Sequence, residues 1–142
     1  MIRIREIDHV VLRARDVARL VRFYCDVLGC TIERREDSIG LVQLRAGRSL
    51  IDIIDVDGVL GRKGGAAPGG EGRNVDHVCL RVEPFDVEAI RSHLAEHGVG
   101  IDDEGLRFGA EGEGFSLYIR DPEGNTIELK GPAKPIAGDA ST

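Results

Sequence analysis

The apolar residues of this chain follow two spacings that succeed one another near its start. The segment DHVVLRA, residues 8–14, contains a short apolar run that predicts a strand. Asp16 is a suitable N-cap for a helix after it, and Gly29 is a suitable terminator. Between them lie apolar residues at helical spacing, namely Val17, Leu20, Val21, Tyr24, Val27 and Leu28. The pattern therefore predicts a strand followed by an amphipathic helix.

The same arrangement returns near the middle of the chain. The segment DHVCLRV, residues 76–82, shares five of its seven positions with the first segment. Pro84 follows it, then Val87, Ile90 and Leu94 at helical spacing, and then Gly98 as a helix end. Because a histidine-bearing segment and its helix both recur, the sequence predicts an internal duplication.

Each predicted helix is followed by strand-like runs separated by turn residues. They are GLVQLRA and SLIDIIDV in the first half, and FSLYIRD and NTIELKG in the second. The pattern predicts an α+β fold made of two βαβββ modules. We place module one at about residues 5–56 and module two at about residues 75–131, within one domain of residues 1–131. Residues 132–142 are expected to form a flexible tail.

The segment between the modules, residues 57–74, is rich in glycine. Seven of its eighteen residues are Gly, which indicates a flexible linker. A phosphate-binding loop would have to lead into a helix, whereas this segment leads into a predicted strand.

The duplication places four metal-ligand side chains on one face of the predicted sheets. Asp52 stands between two isoleucines in LIDII, and Glu128 stands between Ile and Leu in TIELK. The flanking aliphatic residues must face the helix layer, so alternation turns both carboxylates to the other face. His9 and His77, on the first strand of each module, share that face.

Two histidines and two carboxylates make a donor set suited to a divalent ion such as Ni, Co, Zn, Mn or Fe(II). Arg13 and Arg81 lie on the same predicted face, where a guanidinium can recognise a substrate carboxylate. The alternative is that these arginines pair with Asp52 and Glu128, which would leave a salt-bridge network without a metal.

Composition excludes several classes of partner. The chain has 142 residues, a net charge of −6, 4% aromatic residues and no Trp, which argues against a nucleic-acid partner. The start MIRIREID lacks the apolar stretch of a signal peptide, and no run is long enough to span a membrane. The three cysteines are odd in number and show no CxxC spacing, so we expect reduced thiols and a cytoplasmic location.

The segments DHVVLRARDVARLVRFYCDVLGC and YIRDPEGNTIEL resemble the vicinal oxygen chelate superfamily, which includes glyoxalase I, extradiol dioxygenases, fosfomycin-modifying thiol transferases and bleomycin-binding proteins. The resemblance extends from about Ile7 to Lys130. It implies that the two modules form an open, curled mixed sheet around a metal site. It also implies a homodimer, with the paired modules coming from one chain or from two.

Within that superfamily the chain is most similar to glyoxalase I, a lactoylglutathione lyase that isomerises a glutathione hemithioacetal. The resemblance places the metal ligands at His9, Asp52, His77 and Glu128, and a glutathione carboxylate at Arg13. It implies one divalent metal ion that holds two vicinal substrate oxygens, and a carboxylate that moves a proton between adjacent carbons. Glu128 is the first candidate for that carboxylate and Asp52 the second.

Two departures from glyoxalase I keep other functions open. Asp52 stands where that enzyme has a longer Glu, and without Asp52 the remaining ligands would be the two-histidine, one-carboxylate triad of iron dioxygenases. An Asn that helps glyoxalases hold glutathione is replaced in the stretch DIIDVDG. The alternatives are therefore a dioxygenase or thiol transferase, and a non-catalytic drug-binding protein. Arg107 and Tyr118, in a glycine-rich stretch, are further candidates for binding substrate.

Overall fold

The computed structural model describes residues 1–134 and contains the βαβββ module twice. The α+β prediction is confirmed. Module one consists of β1 (His9–Ala14), α1 (Val17–Asp26), β2 (Thr31–Glu36), β3 (Leu41–Ala46) and β4 (Ser49–Asp55). Module two consists of β5 (Val78–Arg81), α2 (Val87–Glu96), β6 (Asp103–Gly109), β7 (Gly112–Arg120) and β8 (Thr126–Ala133). The first strand after each helix, β2 or β6, contains no apolar run, so the sequence pattern did not locate it.

The strands of module one form a mixed sheet in the order β1-β4-β3-β2. β1 pairs with β4 in parallel, and the other neighbours are antiparallel. A parallel pair needs a long crossover, and the chain between β1 and β4 supplies it through α1, β2 and β3. The pairing places Val11 opposite Asp52, so the first and last strands of the module lie side by side.

Module two repeats this topology in its own sheet, with the order β5-β8-β7-β6. β5 pairs in parallel with β8, and Cys79 lies opposite Glu128. The first and last strands are again neighbours. In both modules the predicted histidine and the predicted carboxylate are therefore brought close together by the same strand pairing.

The helix α1 explains which way Asp52 faces. The Asp16 side chain accepts a hydrogen bond from the Arg19 amide at 3.1 Å, as expected of an N-cap, and Gly29 adopts the left-handed conformation that ends the segment. Leu20 and Tyr24 on α1 are fully buried. Ile51 and Ile53 on β4 are buried too, and α1 contacts β4. Burying these isoleucines leaves Asp52 on the opposite face, as the alternation predicted.

The core of module two is carried mainly by its strands. Leu117, Ile119, Ile127 and Leu129 are buried on β7 and β8. On α2, Leu94 is buried, whereas the other two members of the predicted stripe, Val87 and Ile90, are only half-buried. The buried aliphatic neighbours of Glu128 direct its carboxylate to the other face of the sheet, as they do for Asp52.

The glycine-rich segment, residues 57–74, contains a short 3-10 turn at Gly61–Gly64 and groups with module one. Its carbonyl groups accept hydrogen bonds from the Arg13 guanidinium, and the Asn74 side chain pairs with the Arg13 backbone. At the other end of the chain, β8 continues to Ala133, into the start of the predicted tail. The rest of that predicted tail, residues 135–142, lies outside the described residues.

Two further predictions concern membrane-spanning segments and the cysteine thiols. In the described part of the chain, neither ten-residue helix is long and apolar enough to cross a membrane. Cys25, Cys30 and Cys79 are free thiols.

Candidate metal centre

In module one, the structure brings His9 and Asp52 together. His9 begins β1 and Asp52 lies in the middle of β4, so strand pairing places the His9 Nε2 atom 3.9 Å from Asp52 Oδ2. Asp52 is only 4% exposed. Its Oδ2 atom accepts a hydrogen bond from Gln43 Nε2 at 3.1 Å, whereas its Oδ1 atom is buried without a hydrogen-bond partner.

A buried carboxylate oxygen without a partner is costly, because its charge has lost water and gained nothing in return. Asp52 Oδ1 is the one buried side-chain atom of this kind among the residues that the structure describes. A cation bound at this oxygen would remove that cost. The orphaned oxygen is therefore an observation of this structure that fits a metal ligand.

In module two, the corresponding pair is His77 and Glu128. The His77 Nε2 atom lies 3.1 Å from Glu128 Oε1. The second oxygen, Oε2, accepts a hydrogen bond from the buried Ser116 hydroxyl at 2.6 Å. Unlike Asp52, this carboxylate thus has one oxygen held from the neighbouring strand and the other directed toward a histidine.

The surroundings of Glu128 keep it ionised. Burial alone would raise the pKa of this carboxyl group, but hydrogen bonds from Ser116 and Tyr118, together with nearby positive charge, lower it overall. The His77 ring and the Lys130 ammonium group shift the pKa of Glu128 in the same direction. A carboxyl group held in its charged form is suited to bind a cation.

Both histidines are oriented by the residue that precedes them. His9 Nδ1 lies 2.7 Å from Asp8 Oδ1, and His77 Nδ1 lies 2.7 Å from Asp76 Oδ2. The hydrogen bond with Asp8, followed by the charge of Asp52, raises the pKa of His9. Asp8 and Asp76 had no predicted role, although the DHV triplet occurs twice in the sequence.

The spacing within each pair is close to that of two ligands on one metal ion. Nitrogen and oxygen ligands about 2.1 Å from a zinc-like ion lie roughly 3.0–3.4 Å apart in octahedral or tetrahedral geometry. The His77–Glu128 distance of 3.1 Å falls in this range, and the His9–Asp52 distance of 3.9 Å needs a small side-chain adjustment. Within residues 1–134 of one chain, no three His, Cys, Asp or Glu side chains gather to hold a metal ion. Each module thus presents a pair of donors.

The four predicted substrate-binding residues have different surroundings. The Arg13 guanidinium donates to the carbonyl oxygens of Gly61, Gly65 and Ala66 at 2.7–3.3 Å. A Cβ atom on Gly64 would come within 2.4 Å of this guanidinium, so the loop wraps it closely. Arg13 therefore supports the glycine-rich segment in this structure and does not pair with Asp52.

In module two, Arg81 forms ion pairs with Glu111 at 2.6 Å and Glu83 at 3.4 Å, and so does not neutralise Glu128. The two arginines therefore do not form the salt bridges to Asp52 and Glu128 that were considered as the alternative to a metal site. The ion pairs of Arg81 are exposed and join it to Glu83 and Glu111, not to the Glu128 carboxylate that the alternative required.

Arg107 and Tyr118 lie beside the His77–Glu128 pair. The Arg107 guanidinium stacks over the Tyr118 ring at 5.3 Å, and that ring meets the His77 ring edge-on at 5.9 Å between centroids. Burial, followed by the hydrogen bond to Glu128, raises the pKa of Tyr118. The two residues predicted from the glycine-rich stretch are therefore part of the surroundings of the candidate ligands.

Ser116 and Lys130 were not predicted as site residues either. Both are buried polar residues, and the Lys130 ammonium donates to the carbonyl oxygens of Arg107 and Gly114. Lys130 stands two positions after Glu128 on β8, and strand alternation could have placed it on the same face. Cys79 faces Glu128 across the strand pair, and burial raises the pKa of its thiol to about 11.

The fold thus consists of two βαβββ modules, each of which has a histidine close to a carboxylate. The chain belongs to the glyoxalase/bleomycin resistance protein/dioxygenase superfamily, whose family model matches residues 6–129. The predicted family is confirmed.

Three relatives show how far the similarity extends. Virulence protein STM3117 of Salmonella typhimurium is 29% identical over 128 residues, which cover 89% of this chain and 83% of that protein. Its crystal structure matches 93% of this chain and all of its own chain with a TM-score of 0.76. Glyoxalase domain-containing protein RDO1 of Mycosarcoma maydis is 27% identical and covers 89% of this chain and 68% of its own length. Lactoylglutathione lyase from Agrobacterium tumefaciens, 21% identical with a TM-score of 0.63 over 89% of this chain and 92% of its own, shares the fold.

Proposed function

We propose that this protein is a divalent-metal-dependent lyase or isomerase that acts on an α-hydroxycarbonyl compound such as a glutathione hemithioacetal. The observation that supports it is the pair of His–carboxylate arrangements, one in each module, with Asp52 Oδ1 buried and unpaired. His9, Asp52, His77 and Glu128 would hold one Ni, Zn, Co, Mn or Fe ion. The lactoylglutathione lyase from Agrobacterium tumefaciens shares this fold.

The bound ion would polarise two vicinal oxygens of the substrate. The proton transfer itself is assigned to this chain's carboxylates. Glu128 would remove the proton from the carbon that bears the sulfur and return it to the adjacent carbon, which converts the hemithioacetal to a hydroxy thioester without a net change in oxidation. Ser116, hydrogen-bonded to Oε2, would hold the carboxylate in place during both steps. Asp52 is the second candidate for this proton transfer.

The substrate would be held by the charged and aromatic groups near His77. Arg107 and Tyr118 stack together beside the candidate ligands, and Arg81 lies on the strand next to β8. These groups suit a small anionic molecule, such as a glutathione adduct. Arg13 would bind a carboxylate only if the carbonyl groups of the glycine-rich segment released it. We place the protein in the cytoplasm as a homodimer that binds no nucleic acid and no membrane.

The test of this function is the reaction itself. The protein is freed of metal, loaded in turn with Ni, Co, Zn, Mn and Fe(II), and assayed for conversion of the methylglyoxal–glutathione hemithioacetal to its thioester. Glu128→Gln is expected to lower kcat by about 100- to 10,000-fold. Glu96→Gln, an exposed change on α2, serves as the control. Turnover by no metal form would refute the isomerase, and tight substrate binding without turnover would support a binding protein.

A dioxygenase remains the second candidate because of the 3.9 Å separation between His9 and Asp52. If Asp52 stays off the metal, His9, His77 and Glu128 form the two-histidine, one-carboxylate set that leaves positions open for oxygen. Oxygen uptake by the Fe(II) form with a catechol, and no turnover of the hemithioacetal, would favour this candidate.

Mixing two variants tests whether the pairs combine within one chain or across two. His9→Ala and His77→Ala are each expected to bind metal poorly. If the site is shared between two copies, unfolding the variants together and refolding them restores one intact site in each mixed dimer. Recovered metal binding in the mixture indicates a shared site. Absence of recovery in a mixture proven to contain mixed dimers indicates a site within one chain.

Asp52→Asn is expected to have opposite effects on stability and on metal binding. It removes a buried charge with an unpaired oxygen, so the free energy of unfolding of the metal-free protein should rise by about 1 kcal/mol. Saturating metal at 100 times its Kd should stabilise the wild-type protein by about 2.7 kcal/mol and the variant by less. Urea unfolding with chelator and with metal measures both effects. Equal stabilisation of the two proteins by metal would show that Asp52 is not a ligand; Asp57→Asn is the charge-matched control.

A further inference from the structure

We propose that Asp8 and Asp76 are positioning residues that hold the Nδ1–H groups of His9 and His77, so that each ring presents the lone pair of Nε2 to the metal. This inference rests on the proposed metal site and deepens it. The two aspartates lie just before the first strand of each module and outside the predicted donor set.

The geometry is the same in both modules. Each aspartate places one carboxylate oxygen 2.7 Å from the Nδ1 atom of the histidine that follows it. The aspartate side chains are 88% and 83% exposed, so burial does not force them into these positions. The same contact forms twice between exposed groups, at the same distance and within the same DHV triplet. This repetition indicates that the two aspartates have the same function.

The chemistry of the contact determines which nitrogen carries the proton. A carboxylate only accepts hydrogen bonds, so Nδ1 must carry a hydrogen when it faces Asp8 or Asp76. In a neutral ring the lone pair then lies on Nε2. A histidine in water prefers the opposite tautomer, with the hydrogen on Nε2, and that form cannot bind a metal through Nε2. The aspartates thus select the form that can.

The other end of each ring supports this assignment. The Nε2 atoms are the ones directed at the buried carboxylates, 3.1 Å from Glu128 and 3.9 Å from Asp52. A carboxylate oxygen can face Nε2 at 3.1 Å only if Nε2 carries a proton or a metal ion lies between them, so a bound metal ion would take the place of a proton at this nitrogen. The chain Asp76–His77–Glu128 therefore has the order of groups expected of a carboxylate, a metal-binding histidine and a second metal ligand.

The first measurement is the state of Nδ1 in the Zn-loaded protein. Nitrogen-15 spectra of the imidazole rings of wild-type His9 and His77 should show Nε2 bound to Zn and Nδ1 protonated and hydrogen-bonded. Asp8→Ala and Asp76→Ala should each shift the Nδ1 resonance of the adjacent ring to that of an N–H group exposed to water. Asn at either position keeps an acceptor oxygen, so Asp8→Asn and Asp76→Asn should retain part of the wild-type spectrum.

The second measurement is metal affinity, by competition of Zn or Co with a chromophoric chelator. Each Ala variant should bind about 10- to 100-fold more weakly than wild type, and each Asn variant should fall between. Asp57→Asn in the glycine-rich segment and Glu96→Gln on α2, both at exposed acidic residues, control for the change in charge. Thermal unfolding should be nearly unchanged in all variants, because the substituted side chains are exposed.

The outcomes separate this inference from the function on which it rests. Wild-type affinity and wild-type imidazole spectra in both Ala variants would refute the positioning role and leave the metal site standing. A wild-type protein that binds none of the metals would refute the metal site, and with it any role of the aspartates in metal binding. A weaker affinity with unchanged spectra would show that the carboxylates act through charge alone, which also contradicts the proposal.

Discussion

His77→Ala is expected to weaken the binding of a divalent metal ion by more than about 100-fold. Loss of a residue that merely orients a ligand costs 10- to 100-fold, and removing a ligand atom should cost more. His77 is the better placed of the two histidines, because its Nε2 atom lies 3.1 Å from Glu128. Metal content after dialysis and competition with a chelator measure the effect.

The control for this prediction is His93→Ala. His93 lies on α2, outside the two His–carboxylate pairs, and its ring stacks against His97. Its replacement removes one imidazole from the chain without touching the candidate ligands, so metal affinity should stay at the wild-type value. If His77→Ala binds metal as tightly as His93→Ala does, His77 is not a ligand and the proposed donor set is wrong.

Ile53→Ala is expected to lower the free energy of unfolding by about 2–5 kcal/mol, and Ile53→Val by about 0.5–1.5 kcal/mol. Ile53 is fully buried on β4, next to Asp52 in sequence and on the opposite face. The side chain packs in the layer that α1 covers, so truncation leaves a cavity there. Urea or thermal unfolding of the metal-free proteins gives the values.

Val59→Ala is the matched control, because Val59 is an exposed apolar residue of the glycine-rich segment. Its cost should stay within about 0.5 kcal/mol. The graded pair at Ile53 tests whether this side chain is as tightly packed as its burial indicates. A cost below 0.5 kcal/mol for Ile53→Ala would contradict the packing described for this strand.

Local pattern was enough to predict the duplicated module and the face on which its donors lie. The stripe from Val17 to Tyr24, with a capping Asp before it and Gly29 after it, defined α1, since helix ends depend on neighbouring residues. Alternation around Asp52 and Glu128 defined their face for the same reason, because buried aliphatic neighbours leave only one side for a carboxylate. The predicted family followed from the repetition of these local features.

The pattern failed where the structure depends on residues that are distant in sequence or on polar contacts without a periodicity. β2 carries few apolar residues, and it is a strand because β3 pairs with it. Arg13 was predicted to face substrate, yet carbonyl groups some fifty residues away surround its guanidinium. No spacing rule predicts a contact between groups so far apart in sequence.

The sequence by itself therefore determined the two βαβββ modules and the sheet face of the four candidate donor side chains, because strand and helix periodicities act over a few residues. The tertiary structure decided how each donor is held. The parallel pairing of first and last strands brings His9 to Asp52 and His77 to Glu128. Packing then leaves Asp52 Oδ1 unpaired while Ser116 holds Glu128. These contacts join residues 12 to 51 positions apart in sequence. Closing such loops costs conformational entropy, and burial of the core offsets that cost, so the contacts form only in the folded chain.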